Sequence, residues 1–558
     1  MDRGRVKVRY RFWLLLLPFL FLALFYFYPI ARIFSLSFSF DGEWDFGKFV
    51  QRLAKSHYIG VFWFTVWQAL LSTLLAVVVA LPGAYLFSQY QFPGKRLLKF
   101  LSTLPFVLPT VVVASALQAL LGESGLVNLG LMRLFHLPRP PIRIDHSIWF
   151  ILIAHVFYNY SVIFRIVGGF WAGIRDEISE AASMLGASPA RVFFQVTLPL
   201  LRPALLASSL LVFVLCFSSF GVVLILGGPK YATVEVEIYR QTVNYFNLPA
   251  AATLSLIQIV FTFLVMWLYT GASQKGSLQL DPKMKTARPK PIRRFGKAAI
   301  VANAGFILFF LGAPLFALLV RSLLLEDRFS FVYYSSLFAD RRDSIFFVPP
   351  THAIFYSLGF ASAALVTATV LGLLLSNGLA SRGGRTTSIL DAVFMLPLST
   401  SAVTLGFGFI IALDSPPLNL RTSILLIPIA HTLVALPFVT RSILPSIRSI
   451  PQSLRESASV LGASPLRVWI HVDVPVVKRA VVIGAIFAFT ISLGEFGATL
   501  FVARPNSPTI PLAIYRFLGQ PGSLNYGQAL AMSNILLLVT VCGFILLERL
   551  RGNTTDEI

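Results

Sequence analysis

Four polar side chains stand where their chemistry would matter most, inside long apolar stretches: His155, Ser219, His431 and Glu495. A carboxylate in hydrocarbon costs at least ~2.5 kcal/mol, so Glu495 must face protein or a water-filled cavity. There it could stabilise a passing cation. It could equally serve as a hydrogen-bond partner between helices, near a break at Gly494 and Gly497. His155 and His431 could form a paired gate or an interhelical hydrogen bond. Together these four residues are the candidates for lining a path through the molecule, and they hold no catalytic arrangement. Lys48, Lys95 and Lys297 follow a glycine, but none is followed by Ser or Thr, so a Walker A phosphate loop is absent. The seven His are scattered and the two Cys, Cys216 and Cys542, sit in apolar runs, so no metal site, cofactor or disulfide framework is expected. The chain reads as a transport subunit rather than an enzyme.

The elements that must hold these residues are membrane helices. Apolar residues make up 56% of the 558 and charged residues 13%, and the apolar runs reach the ~20 residues that cross ~30 Å of hydrocarbon. Twelve spans are expected, near 12–36, 58–88, 98–121, 148–170, 204–226, 250–271, 298–325, 353–380, 389–413, 422–445, 481–503 and 526–548. The first, preceded by five basic residues from Arg3 to Arg11, is too long for a cleaved leader and reads as a retained helix. With the N-terminus inside, the inner segments carry 28 Lys and Arg and the outer ones 14, over similar lengths. That is the bias the positive-inside rule demands, and it places both termini in the cytoplasm. The net charge of +22 therefore belongs to a lipid surface and not to nucleic acid. Segment 272–297, with eight basic residues among Pro and Gly, reads as a cytoplasmic linker between residues 1–271 and 298–558.

Those two segments repeat each other. Residues 180–204 align without gaps to 456–480 at an offset of 276, with 13 of 25 positions identical. The same offset pairs His155 with His431, Arg165 with Arg441 and Ser219 with Glu495. An all-α protein of two six-helix halves follows, related by an axis along the membrane normal, with the solute path between the halves. In the repeated loop Gly186 can end one short helix, and Ser188-Pro189 supplies an N-cap and a first-turn proline for the next. Gly462 and Ser464-Pro465 repeat the device. Two short helices meeting at a bend on the cytoplasmic surface can transmit force to whatever docks there.

At this loop the sequence resembles the EAA loop of permease subunits of binding-protein-dependent ABC importers. Glu180, Ala182, Gly186 and Pro199 carry the likeness in the first half, and Glu456, Ala458, Gly462 and Pro475 in the second, which departs mildly at Ser457 and Val474. The resemblance spans essentially the whole chain. It implies a type I importer fold in a prokaryotic inner membrane, two coupling loops seated on separate ATPase subunits, most simply a homodimer, and an extracytoplasmic solute-binding protein. Segments 215–241 and 491–519 are similar to the branch that carries thiamine or ferric iron on one polypeptide. The Gly494–Thr499 stretch is also similar to sulfate and molybdate permeases. The outer stretches at 227–229 and 504–508 are expected to meet the solute-delivering protein. An ion-coupled secondary transporter is the rival class, but it would need more carboxylates in the spans than Glu495 and the span-end Asp391.

Overall fold

The computed structural model of the chain describes residues 14–40, 43–174, 176–277, 294–325, 328–339, 348–380, 385–414, 416 and 418–552. Arg3 to Arg11, and Lys283, Lys285, Arg288, Lys290 and Arg293 of the linker, lie outside the described residues. Among the described residues the secondary structure is helical apart from two antiparallel hairpins. One pairs Ser39–Phe40 with Glu43–Trp44, and the other pairs Leu324–Leu325 with Arg328–Phe329. Each hairpin follows the first span of its half. Among the described residues eleven helices are long and apolar enough to cross a membrane, or twelve if a bent pair is one span.

The spans depart from the sequence expectation where proline or a cluster of small residues interrupts an apolar run. The run at 389–413 is not one helix: Ile389–Ser399 and Ala402–Ala412 meet at 93°. The run at 98–121 is likewise broken, into Lys95–Thr103, a 3-10 turn at Leu104–Phe106, and Thr110–Leu121. Pro109 precedes the restart in the first half, where its missing N–H costs nothing, and in the second half the Ser401 hydroxyl accepts from the Val403 amide at 3.1 Å. Expected spans 204–226 and 481–503 also stop short, at Phe217 and Gly494, and resume as the short helices Gly221–Leu226 and Gly497–Val502. Hydropathy alone does not see the breaks at 104–109, 218–220 and 400–401, where the residues are apolar, small or hydroxylated, whereas Gly494 and Gly497 mark the one that holds Glu495.

The described residues pack as two compact units, one of residues 1–50, 238–256 and 331–558, the other of 51–237 and 257–330. In the second of these, Ala69, Ala76, Ala80 and Ala84 along Ser56–Gln89 are fully buried. A side chain at Gly83 would strike the Tyr160 hydroxyl of Ile148–Ala172, and one at Gly168 would touch Ala84. Small residues let backbones approach where lipid offers no hydrophobic driving force between helices. In the first unit, a Cβ on Gly372 of Thr351–Ala380 would lie 2.6 Å from Val439 of Leu426–Arg448, the same device.

The first span of each half packs away from its own sequence neighbours. Leu15, Leu22 and Tyr26 join a core with Leu371, Leu375, Phe394 and Leu433. The Tyr26 hydroxyl is 2.6 Å from that of Thr400, at the break in the bent span. In the other unit Phe306 and Phe310, from the span Gly296–Ser322, stack on each other and lie 6.0 Å from Tyr160 and 6.3 Å from Phe157.

Candidate functional site

Two sites share one backbone design. The helix Asp176–Met184 ends in a Schellman turn: the Gly186 amide donates to the Ser183 carbonyl at 3.0 Å, and the Ala187 amide to the Ala182 carbonyl at 3.1 Å. The second copy, after Gln452–Val460, repeats both bonds, Gly462 to Ser459 at 3.1 Å and Ala463 to Ala458 at 3.0 Å. Gly186 and Gly462 each sit at φ +84°, in the left-handed region where a Cβ is penalised. Ser188 and Ser464 then accept from the Arg191 and Arg467 amides, and Pro189 and Pro465 open the next helical turns. Ala182 and Ala458 thus occupy the last-turn position whose carbonyl the motif satisfies. Glu180, Glu456, Gly186 and Gly462 are exposed.

The tips of both bends are apolar and bare. Met184 and Leu185 are 90% and 89% exposed, and Val460 and Leu461 86% and 87%. Apolar pairs held into solvent at a rigid turn mark a surface meant to be covered. Behind the bends, Leu198 and Val474 donate to Phe193 and Trp469, five residues back, so a π turn precedes each long helix. This wide turn accommodates Pro199 and Pro475, which cannot donate to the chain behind them. The copies differ in their bracing. Arg455 Nε bonds Asp473 Oδ1 at 2.7 Å, where the first copy has Ser179 and Thr197.

The four polar residues within the apolar runs fall into two matching clusters, one in each unit. His155 is bonded through Nδ1 to Ser72 at 2.9 Å and through Nε2 to Ser219 at 2.8 Å. Asn159 donates to the His155 carbonyl at 2.8 Å and to Cys216 Sγ at 3.2 Å. His431 is bonded through Nδ1 to Ser492 at 2.6 Å and through Nε2 to Thr499 at 2.8 Å. Ser219 and Glu495 both stand at the break after a long helix, so the structure keeps the register that the repeat implied.

Glu495 faces inward to its own backbone. Its Oε1 accepts from the Ala498 amide at 2.8 Å. Its Oε2 accepts from the Thr499 amide at 2.9 Å and hydroxyl at 2.5 Å, and lies 3.4 Å from His431 Nε2. The carboxylate therefore caps the helix Gly497–Val502, whose first amides have no partner within the helix. Among the described residues no group of three or more His, Cys, Asp or Glu could hold a metal ion.

Sequence reasoning passed over two further buried carboxylates. Glu235 and Glu237, on the short helix Val234–Tyr239, are each 2% exposed. Gln258 donates to Glu235 at 2.7 Å, and His57 Nε2 is 3.0 Å from Glu237. They lie in a polar stretch that hydropathy assigns to an outer loop. The only signal available was that a Glu-Val-Glu alternation separates its two carboxylates with an apolar residue.

The family model for the binding-protein-dependent transport system inner membrane component matches residues 72–275 and 368–554, one copy in each half. The chain is 27% identical over 522 residues to the thiamine transport system permease protein of Brucella abortus (strain 2308), covering 91% of this chain and 89% of that one. It is 28% identical over 508 residues to the protein of that description from Escherichia coli (strain K12), covering 88% of each. A probable ABC transporter permease protein of Sinorhizobium fredii is 26% identical over 532 residues, covering 91% of this chain and 90% of that one. Two matches to one membrane-component model, on a frame of eleven or twelve apolar helices, identify a multi-pass protein of duplicated design. The chain belongs to the family of inner membrane components of binding-protein-dependent ABC transport systems.

Proposed function

We propose that this chain is the permease of an ATP-driven thiamine importer. The observation that carries the reading is the twin bend, the same left-handed glycine turn presenting the same bare apolar pair in each half. Two equivalent loops on one chain suit two copies of one ATPase, so the partner we infer is a homodimer. The solute is drawn from the relatives described as thiamine permeases, aligned over about nine-tenths of this chain. Residues 1–271 and 298–558 act as the two halves, tied by the linker 272–297 on the cytoplasmic side, with both termini on that side. A solute-binding protein delivers from outside, against the stretches at 227–229 and 504–508. Glu180, Ala182, Gly186 and Pro199, with Glu456, Ala458, Gly462 and Pro475, form the seats on the ATPase.

In this reading His155, Ser219, His431 and Glu495 fix the helix breaks beside the path. Glu495 acts as a cap before it acts as a cation site, since a carboxylate already accepting three hydrogen bonds and facing His431 has little left for a solute. The test is reconstitution of the chain with its ATPase and solute-binding protein partners, followed by uptake of labelled thiamine. ATP-dependent thiamine uptake, undiminished by excess ferric iron, sulfate or molybdate, supports the proposal. ATP-dependent uptake of one of those solutes in place of thiamine refutes the choice of solute. Transport driven by an ion gradient without ATP refutes the class.

A further inference from the structure

Between the first two spans the chain folds into a hairpin and a short helix whose two faces differ sharply. Ser39–Phe40 pairs with Glu43–Trp44, and the helix Phe46–Leu53 then begins. Asp45 joins the two. Its amide donates to the Phe38 carbonyl at 3.0 Å, and its Oδ1 accepts from the Lys48 amide at 2.9 Å, as an N-cap does. At about 100° per residue, Phe46, Phe49, Val50 and Leu53 fall within an arc of about 100°. Lys48, Gln51 and Arg52 fall on the opposite side.

Only part of the apolar face is used within the chain. Phe49 is buried, with its ring centroid 4.5 Å from that of Phe38 at the end of the first span. Phe46 on the same face is 69% exposed, Trp44 on the hairpin is 67% exposed, and Val50 is exposed one turn beyond Phe46. These bare rings continue the surface of the span. Phe38 stacks with Phe46 at 6.1 Å and with Trp44 at 6.2 Å, and Trp44 lies 6.0 Å from Phe34. Phe34 is itself exposed on the membrane-crossing helix Leu14–Phe38, as are Leu16, Leu17, Phe19 and Leu20 toward its other end. One apolar surface therefore runs without a gap from side chains that lipid covers to Trp44 and Phe46.

Length and composition say what covers the far end of that surface. The span has 25 residues, about 37 Å at 1.5 Å per residue, against ~30 Å of hydrocarbon. Its ends therefore reach the headgroup zone, and the hairpin is folded back beside its last turn. Aromatic rings at that level, with basic side chains on the opposite face of a short helix, are the composition of an element lying in the membrane interface. A water-soluble protein could not cover a face continuous with the lipid-facing side of a span without entering the bilayer. The second half repeats the arrangement: its hairpin after the first span leaves Phe329 bare, and Phe331 just beyond it is exposed too.

We propose that Trp44, Phe46 and Val50 form an interfacial anchor. They enter the boundary between headgroups and acyl chains of the leaflet in which the first span ends, with Lys48 on the water side. The partner is a lipid surface. The assignment needs a chain that crosses a membrane and does not depend on the solute or on the ATPase.

The test uses the full chain in nanodiscs of phosphatidylethanolamine and phosphatidylglycerol, with Cys542→Ser to remove the exposed native thiol. Phe46→Cys, Val50→Cys, Lys48→Cys and Gln51→Cys, one at a time, each carry a small fluorophore. The labels replacing Phe46 and Val50 should be quenched by a lipid bearing a nitroxide near the headgroup end of its acyl chain. A nitroxide at the terminal methyl should quench them less, and aqueous iodide least. The labels replacing Lys48 and Gln51 should be quenched chiefly by iodide. Equal iodide quenching of all four would overturn the anchor. Stronger quenching of the first two by the terminal-methyl nitroxide would overturn its interfacial level. Iodide quenching of those two that disappears only when solute-binding protein is added would give the face to that protein instead. A second measurement leaves Phe46 and Val50 in place. The fluorescence difference between the parent and Trp44→Phe should be quenched by a lipid brominated near its headgroup, and a Trp44 signal untouched by that lipid would count against the anchor.

Discussion

Replacing Gly186 and Gly462 by valine isolates the backbone geometry of the coupling bends. Both glycines sit at φ +84°, and a Cβ built on either meets nothing within 4 Å. No packing is therefore lost or forced, and the whole penalty is conformational. A β-branched residue in the left-handed region costs about 1–2 kcal/mol. That is a factor of roughly 5 to 30 against the bent form at each loop, and the two factors multiply where the loops act independently. Either the turn opens or Met184-Leu185 and Val460-Leu461 leave the angle at which they are presented. ATPase subunits should co-purify poorly with Gly186→Val/Gly462→Val, and thiamine uptake should fall below a tenth of wild type, with the permease still in the membrane. Asparagine visits the left-handed region at little cost, so Gly186→Asn/Gly462→Asn should retain most of both activities. The comparison separates geometry from side-chain bulk. Wild-type uptake by the valine pair, or equal losses for valine and asparagine, would refute the reasoning.

Other expectations follow from the same geometry. Glu495→Gln leaves one amide of the helix Gly497–Val502 without its acceptor, at about 1–3 kcal/mol. It should lower the yield of assembled permease while leaving the KM for thiamine within twofold, whereas a raised KM at normal assembly would mean that the carboxylate meets the solute. Arg455→Ala removes the 2.7 Å bond to Asp473, a partly exposed pair worth about 0–1 kcal/mol, so ATPase co-purification should drop less than tenfold. Arg455→Ser with Asp473→Thr, which copies the residues of the first loop, should recover it. A cysteine at Ser277 should be shielded from a membrane-impermeant thiol reagent in intact cells and react after permeabilisation; labelling of intact cells would reverse the assigned orientation.

The parts of the fold that were legible from sequence are those written in periodic or repeated signals. The long apolar runs revealed the helices, and the single offset of 276 revealed the twin bends, because Gly186-Ala187-Ser188-Pro189 and Gly462-Ala463-Ser464-Pro465 spell a turn and a cap in order. The angle at Thr400-Ser401 was not legible. The hydroxyls of Ser399, Thr400 and Ser401 are too weakly polar to split a long apolar run, and Pro397 lies inside the helix that precedes the break. The placement of the first span of each half was not legible either, since lipid-facing and protein-facing Leu and Phe look alike in composition. Glu235 and Glu237 escaped notice because a buried carboxylate in a short helix reads as an exposed one in a loop.

The contrast between Ser219 and Glu495 bears on what the duplicated break is for. Each half interrupts a long helix at the same register and sets a buried histidine against the break. The support differs. His155 ties the break at Ser219 to Ser72 on a neighbouring helix. His431 ties Ser492 before the break to Thr499 after it, with the Glu495 carboxylate alongside. A hydroxyl suffices in one half where the other uses a charge, so an interrupted helix at this level does not itself require a negative group. The carboxylate supplies what the second half needs locally, acceptors for the amides of Ala498 and Thr499, which follow Gly497, where an added Cβ would lie 3.3 Å from Ala402. That close approach joins the break to the bent span Ala402–Ala412, where a Cβ on Gly406 would come within 2.9 Å of the Ala498 backbone. Two interrupted helices pressed together through glycine have no side-chain bulk between them to absorb a shift. Movement at one break must therefore be felt at the other, and the capping carboxylate, by keeping Gly497–Val502 helical, makes that transmission rigid.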